Sequence, residues 1–249
     1  MRSGKVFICG AGPGDPNLIT LKARELLNSC DVVLYDRLIC KEIIDQIPAR
    51  CEKIYVGRSI GDLTTHQDTT NNLMVEEAKK GKRVLRLKGG DPFIFGRGGE
   101  EAEYLFERNI EFEIIPGVTS AIGSAAYAGI PLTDRRFASS VSFVSGHEDP
   151  EKNEPVVKWD KLADTAGTLV ILMGLERLES ISSNLITAGM SKDTSVAIIE
   201  NGTSRKQRVI VGTLSNIIEK VKDAKTKPPA IIIVGNVVSL HEKLHWFNK

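Results

Sequence analysis

Arg86-Leu87-Lys88-Gly89-Gly90-Asp91-Pro92-Phe93-Ile94-Phe95-Gly96-Arg97-Gly98-Gly99-Glu100-Glu101 reads as the join between a buried strand and a helix. The apolar run from Val84 to Leu87 predicts the strand, and the acids and apolar residues that continue through Phe106 predict the helix. Between them lie repeated glycines, two aromatics, a carboxylate and cations, more special residues than a hairpin turn needs. Glycine removes the side chain where something must approach the backbone closely, and here it recurs just beyond a strand's carboxyl end. The stretch predicts the centre of a binding site.

Working outward, the same rhythm repeats on both sides. Lys5–Cys9 predicts a strand, Gly10-Ala11-Gly12-Pro13-Gly14-Asp15-Pro16 a loop, and Thr20–Leu27 a helix. This is not a dinucleotide fingerprint: the glycine spacing is wrong, and Pro13 and Pro16 lack the amides that would hold a pyrophosphate. No Gly-Lys-Ser/Thr is present, so a P-loop is excluded. Further strands are expected at Asp31–Tyr35, Lys53–Val56 and Phe112–Ile115, with helices around Ile43–Ile47, His66–Lys80 and Ala121–Ala128. Regular alternation of strand and helix implies a parallel α/β sheet, whose ligands lie beyond the strands' carboxyl ends. Each unusual cluster falls at such an end: Asp36-Arg37-Leu38, Gly57-Arg58, Gly89-Gly90-Asp91 and Pro116-Gly117-Val118-Thr119-Ser120.

Gly129–Arg136 breaks the rhythm and sets the expected division into two α/β domains, residues 1–134 and 135–249. In the second, strands are expected at Ser140–Val144, Leu169–Met173, Ser195–Ile199, Arg208–Val211 and Ile231–Val234, with helices near Leu178–Ala188 and Leu214–Val221. Arg208–Val211 follows Ser195–Ile199 too closely for a helical crossover, so these two should pair antiparallel and the second sheet should be mixed.

The 249 residues are 41% hydrophobic and 26% charged, the composition of a globular protein, with a formal net charge of +1. That charge provides no global field for nucleic acid or an anionic membrane. No apolar run approaches the roughly 18 residues that span a bilayer, and the early first strand leaves no room for a signal segment, so a cytoplasmic location is expected. Cys9, Cys30, Cys40 and Cys51 match no zinc or redox spacing and read as reduced, structural thiols. His241-Glu242-Lys243-Leu244-His245 matches a zinc-protease pattern, but little chain follows to supply a third ligand, so a solvated helix is expected and no metal.

Asp36 and Arg37 either cap the next helix, pair with each other, or act on a ligand. Arg37, Arg58, Arg86, Arg97, Arg135 and Arg136 cluster near strand ends. Arginines converging on one cleft would suit a polycarboxylate, each gripping a carboxylate bidentately for about 1.5–3 kcal/mol where water is excluded.

Taken together, the glycine loop at 10–16, Tyr35-Asp36-Arg37-Leu38, the long stretch 86–101, Pro116-Gly117-Val118-Thr119-Ser120-Ala121, Ala128-Gly129-Ile130-Pro131-Leu132-Thr133 and Glu200-Asn201-Gly202-Thr203 resemble the uroporphyrinogen-III C-methyltransferases of the tetrapyrrole methylase superfamily. The resemblance implies a homodimer that binds S-adenosylmethionine in the cleft between its domains, releasing S-adenosylhomocysteine. It would methylate uroporphyrinogen III at C2 and C7, giving precorrin-2 via precorrin-1 for siroheme or cobalamin. By position, the implied cofactor contacts are Pro13, Gly89, Gly90, Asp91, Ile94, Thr119, Ser120, Met173 and Gly202. The implied proton acceptor falls on Asp36. The family's lysine proton donor falls on Arg58, a departure, because arginine hardly ever gives up its proton and is better suited to bind an anion. Asp134 stands where the family often has histidine. The eight carboxylates of the substrate would engage Arg37, Arg97 and Arg135. A sister precorrin methyltransferase, a related enzyme methylating RNA or protein, and a nucleotide-binding protein without catalysis are the alternatives.

Overall fold

The computed structural model describes residues 4–57, 66–147 and 157–248. The chain forms two compact units, Met1–Thr119 and Ser120–Lys249.

The first unit contains β1 (Lys5–Gly10), α1 (Leu21–Ser29), β2 (Val32–Tyr35), α2 (Lys41–Ile44), β3 (Glu52–Tyr55), α3 (His66–Lys79), β4 (Arg83–Lys88), α4 (Gly98–Glu107) and β5 (Glu111–Ile115). The strands form one sheet in the order β3-β2-β4-β1-β5, and every neighbouring pair is parallel. Its central strands β1, β2 and β4 are buried on both faces, which explains their apolar runs. On one face Phe7, Cys9, Leu85 and Leu87 pack with Ala23, Leu26 and Leu27 of α1. On the other, Val6, Ile8, Val32, Leu34 and Val84 pack with Met74, Val75 and Ala78 of α3 and with Ala102 and Leu105 of α4. Helix α1 starts where Thr20 Oγ1 accepts the Ala23 amide at 3.2 Å, the bond expected of an N-cap threonine.

The second unit contains α5 (Ser120–Tyr127), β6 (Val141–Ser145), α6 (Trp159–Thr165), β7 (Thr168–Leu172), α7 (Leu178–Thr187), β8 (Ser195–Glu200), β9 (Arg208–Thr213), α8 (Ile217–Asp223), β10 (Ala230–Val234) and α9 (His241–Leu244). The sheet order is β6-β7-β10-β8-β9, with β6 and β7 parallel and the remaining neighbours antiparallel. The expected antiparallel pair is present, Ser195 opposite Thr213 and Glu200 opposite Arg208. The structural division falls earlier than the one read from Gly129–Arg136. Helix α5 buries Ala121 and Ala125 with Val170, Ile199, Ile231 and Ile233 of the second sheet, so its small residues belong to the second core.

The carboxy-terminal helix α9 buries none of its residues, the solvated element that its sequence suggests, and a few contacts tether it to the second unit. His241 Nδ1 lies 2.5 Å from the Ala128 carbonyl oxygen, and Trp246 Nε1 donates to the Ala126 carbonyl at 3.0 Å. Tyr127 packs against the rings of Trp246 and Phe247. The four cysteines are free thiols, and burial pushes those of Cys9 and Cys30 up to about 12. Among the described residues no helix is long and apolar enough to cross a membrane, and no cluster of three or more His, Cys, Asp or Glu is arranged to hold a metal ion.

Candidate active site

Adjacent strands β1 and β4 send their chains to opposite faces of the first sheet, β1 into α1 and β4 into α4. Such a switch point is where open α/β sheets form their crevice. The two loops are tied together there. Gly90 N–H donates to the Gly12 carbonyl at 2.7 Å, Gly12 N–H donates to the Gly90 carbonyl at 3.2 Å, and Ala11 N–H donates to the Lys88 carbonyl at 2.8 Å. A β-carbon on Gly117 would lie 2.3 Å from the Gly90 oxygen, and one on Gly10 would lie 2.5 Å from it. The partner that approaches the glycine loop so closely is therefore backbone of the same unit. Gly90 itself sits at φ +68, a left-handed conformation that favours glycine.

Asp91 completes this junction. Its Oδ2 accepts the Gly117 amide at 3.0 Å and its Oδ1 accepts the Phe93 amide at 2.8 Å. One carboxylate thus pins the β4 loop to the end of β5. Pro13, Gly89 and Ile94 are half-buried around the same strand ends, and Thr119 is buried.

Charged residues lie beneath this junction. The register that pairs Leu34 with Arg86 and Tyr35 with Leu87 puts Asp36 one step beyond β2. With a period of two, Leu34 and Asp36 share a face of the sheet with Val84, Arg86 and Lys88. Glu101 rises to that face from α4 and is fully buried. Glu101 Oε1 is 3.1 Å from Arg86 Nε and 2.9 Å from Lys88 Nζ, while Arg86 Nη2 is 3.4 Å from Asp36 Oδ2. Gln67 Nε2 also approaches Glu101 Oε1, at 3.3 Å, and Glu101 Oε2 has no hydrogen-bond partner among the described residues. Burial, then the neighbouring Arg86 charge, lowers the proton affinity of Lys88 below the ordinary lysine value, against the pull of Glu101.

One expectation changes here. Glu101, in the first turn of α4, places its carboxylate against two buried cations. Arg86 is among the arginines expected to face a ligand, yet its side chain is 7% exposed and internally bonded. The only local signal was charge at strand positions 86 and 88, where a buried strand should be apolar.

The remaining arginines separate by their partners. Arg37 and Arg135 are exposed and make no ion pair among the described residues. Arg97 is held by Glu100, with Nε 3.0 Å from both carboxylate oxygens and Nη2 2.6 Å from Oε2. Arg136 forms a two-pronged pair with Asp134 at 2.9 and 3.0 Å, and those hydrogen bonds bring the Asp134 carboxyl down to about 2. Arg58 lies outside the described residues.

In the second unit β7 and β8 both run antiparallel to β10, so their carboxyl ends share one edge. Met173, just past β7, has φ +56 and is 52% exposed. A left-handed methionine on a strand end is uncommon enough to mark a functional candidate. Past β8, Asn201 and Thr203 also have positive φ, 49 and 65. Between them, a β-carbon on Gly202 would lie 2.1 Å from Ser124 Oγ of α5, the helix that begins at Ser120.

Residues 5–218 match the protein family described as Tetrapyrrole (Corrin/Porphyrin) Methylases. The chain belongs to this family. Among similar family members, the S-adenosyl-L-methionine-dependent uroporphyrinogen III methyltransferase of Methanosarcina barkeri is 53% identical over 97% of this chain and 94% of that protein. The siroheme synthase of Pseudoalteromonas atlantica is 50% identical over 98% of this chain but 52% of its own length, so this tetrapyrrole methylase spans about half of such relatives. A crystal structure of the Thermus thermophilus uroporphyrin-III C-methyl transferase complexed with S-adenyl homocysteine superposes with a TM-score of 0.80 at 36% identity, covering 94% of this chain and 93% of that one.

Proposed function

We propose that this tetrapyrrole methylase transfers methyl groups from S-adenosylmethionine to C2 and C7 of uroporphyrinogen III, giving precorrin-2 via precorrin-1 for siroheme or cobalamin synthesis. The observation that carries the reading is the 53% identity to the Methanosarcina enzyme across nearly the full length of both chains.

The expected cofactor contacts fit the group in kind. Thr119 and Ser120 supply neutral hydroxyls, Gly89 a half-buried backbone without a side chain, and Met173 an exposed thioether beyond β7. Pro13 and Ile94 offer half-buried apolar surface. Gly90, Asp91 and Gly202 also have structural roles in their own units: Gly90 and Asp91 close a backbone junction, and Gly202 lies against the Ser124 side chain. When bound, the sulfonium supplies an activated methyl group, so the protein's task is chiefly alignment.

Asp36 is the proposed proton acceptor: loss of a proton from the macrocycle makes the attacked carbon a better nucleophile. Its Oδ1 accepts the Leu38 amide at 3.0 Å, which leaves the carboxylate partly exposed at the end of β2. Arg37 and Arg135 are the arginines most available to substrate carboxylates. Arg97 reaches them already oriented by Glu100, and Arg58 is proposed to bind an anion rather than donate a proton. A homodimer acting in the cytoplasm is the expected working form; sedimentation at the mass of one chain would overturn the dimer.

Incubation of the purified chain with uroporphyrinogen III and S-adenosylmethionine tests the activity. Mass spectrometry should show a product carrying two added methyl groups. No turnover of uroporphyrinogen III, or turnover only of an already methylated precorrin, would overturn it. Calorimetry should show S-adenosylhomocysteine binding more tightly than NAD.

A further inference from the structure

The charged residues beneath the switch point are arranged as a chain with one end on the surface. Glu101 is at the buried end, Arg86 in the middle, and Asp36 at the outer end with 22% of its side chain exposed. All three guanidinium nitrogens of Arg86 are engaged. Nε donates to Glu101 Oε1 at 3.1 Å, Nη1 to the Leu87 carbonyl at 3.0 Å, and Nη2 to Asp36 Oδ2 at 3.4 Å. A guanidinium fixed at three points has no freedom to turn toward a ligand. Lys88, on the same strand face, brings a second cation to Glu101, so two cations face two carboxylates and the buried group is neutral overall.

We propose that Arg86, locked by Glu101, is a positioning residue for Asp36, holding its carboxylate in one orientation at the end of β2. This rests on the methyltransferase reading, in which Asp36 takes a proton. Neither Arg86 nor Glu101 touches substrate in this scheme. Asp36 has two constraints, one for each oxygen: the Leu38 amide holds Oδ1, and Arg86 holds Oδ2. Removing the Arg86 contact leaves a carboxylate pinned at one point on a loop, free to rotate about that bond. Catalytic groups need supporting residues of this kind, since a displacement of about 1 Å costs roughly 100-fold in rate.

The design also explains why α4 spends a buried glutamate. Leaving a guanidinium buried without its carboxylate is strongly unfavourable, so Arg86 needs Glu101 to occupy this position at all. The cost is met in the core of the first unit, and the benefit is delivered at the strand end.

The test uses Arg86→Lys and Glu101→Gln, each alone and combined with Asp36→Asn. Both singles keep the approximate shape and remove the directed contact, and measuring them in parallel leaves one to decide if the other is unstable. In the soluble variants, kcat for uroporphyrinogen III should fall by about 10- to 100-fold, with KM and S-adenosylhomocysteine affinity within about twofold of wild type. In the Asp36→Asn background the same changes should cost less than about threefold further, because residues acting as one unit are not additive. Full additivity, an unchanged kcat, or a parallel loss of cofactor affinity would overturn the proposal. A wild-type chain without turnover overturns the methyltransferase reading instead. In that case thermal unfolding of the Asp36/Arg86 double-mutant set decides: coupled midpoints retain the contact as a holding device, and independent ones overturn it.

Discussion

The roles proposed for Asp36 and the arginines make different predictions, because their surroundings differ. Asp36→Asn keeps the Leu38 contact and the shape of the side chain but removes the proton acceptor. Turnover should fall by about 100-fold or more while S-adenosylhomocysteine affinity, read by calorimetry, stays unchanged. Arg37→Gln and Arg135→Gln remove exposed cations that have no ion pair among the described residues, so little else in the fold depends on them. Each should raise KM for uroporphyrinogen III by about tenfold with kcat nearly unchanged, the value of one charge-assisted contact. Glu101→Ala has a different signature. It strips the fully buried carboxylate from two cations, and chemical denaturation should report a loss of about 3–5 kcal/mol. The proposed catalytic position could be read in the sequence from its place after a strand. The identities of Glu101 and Arg86 as its supports could not, because 50 residues separate Asp36 from Arg86 and only sheet pairing brings them together.

The loops at the strand ends behave as one element assembled from three strands. Gly10 and Gly117 have no room for a β-carbon against the Gly90 backbone, and Asp91 ties the meeting point to β5. Gly117→Ala would force its β-carbon to within 2.3 Å of the Gly90 oxygen, which is backbone and cannot swing aside. The expected loss is about 1–3 kcal/mol, measured by denaturant unfolding, with activity falling in the surviving fraction as the junction shifts. Gly99→Ala is the contrasting case. A β-carbon there meets nothing within 4 Å, and the position lies inside α4. Alanine should be neutral or add up to about 1 kcal/mol of stability through helix propensity. The composition of the stretch 86–101 predicts a site, but it does not say which of its glycines the backbone itself requires. That distinction depends on what stands opposite each glycine.

Across the whole chain, stability should depend on pH at both extremes. Hydrogen bonds from Lys80 and then Lys82 lower the Glu77 carboxyl below its ordinary value of 4.5. Lys22 does the same for Glu113, and Arg97 for Glu100. A carboxyl whose folded value is depressed stabilises the fold above its unfolded value and loses that contribution as pH falls through the folded one. The melting temperature should therefore drop as pH falls below about 4.5, and Glu77→Gln combined with Glu113→Gln should flatten that limb. Lys5 is raised above 10.5 by Glu111 and then Glu113, and Lys82 by Glu77 and then Glu52. Their contribution is complete below the unfolded lysine value and lost as pH rises past 10.5 through the folded one. A melting temperature flat from neutrality to pH 3 would contradict these pairings.

Local chemistry determined much of this protein before any tertiary contact was known. Strand and helix periodicity, glycine loops at strand ends and the closeness of Ser195–Ile199 to Arg208–Val211 specify two α/β sheets, one parallel and one mixed, because each follows from the nearest few residues. The same residues carry the family resemblance. Tertiary structure alone decided where the second unit begins, since α5 joins whichever core its alanines fill. It also decided that Arg86 faces inward while Arg37 faces solvent, and that Glu101 pairs with Arg86 and Lys88. A charge on a strand or on the first turn of a helix looks the same in sequence whether water or another charge awaits it. Only the pairing of β2 with β4, and the packing of α4 beneath them, supplies the partner that distinguishes these cases.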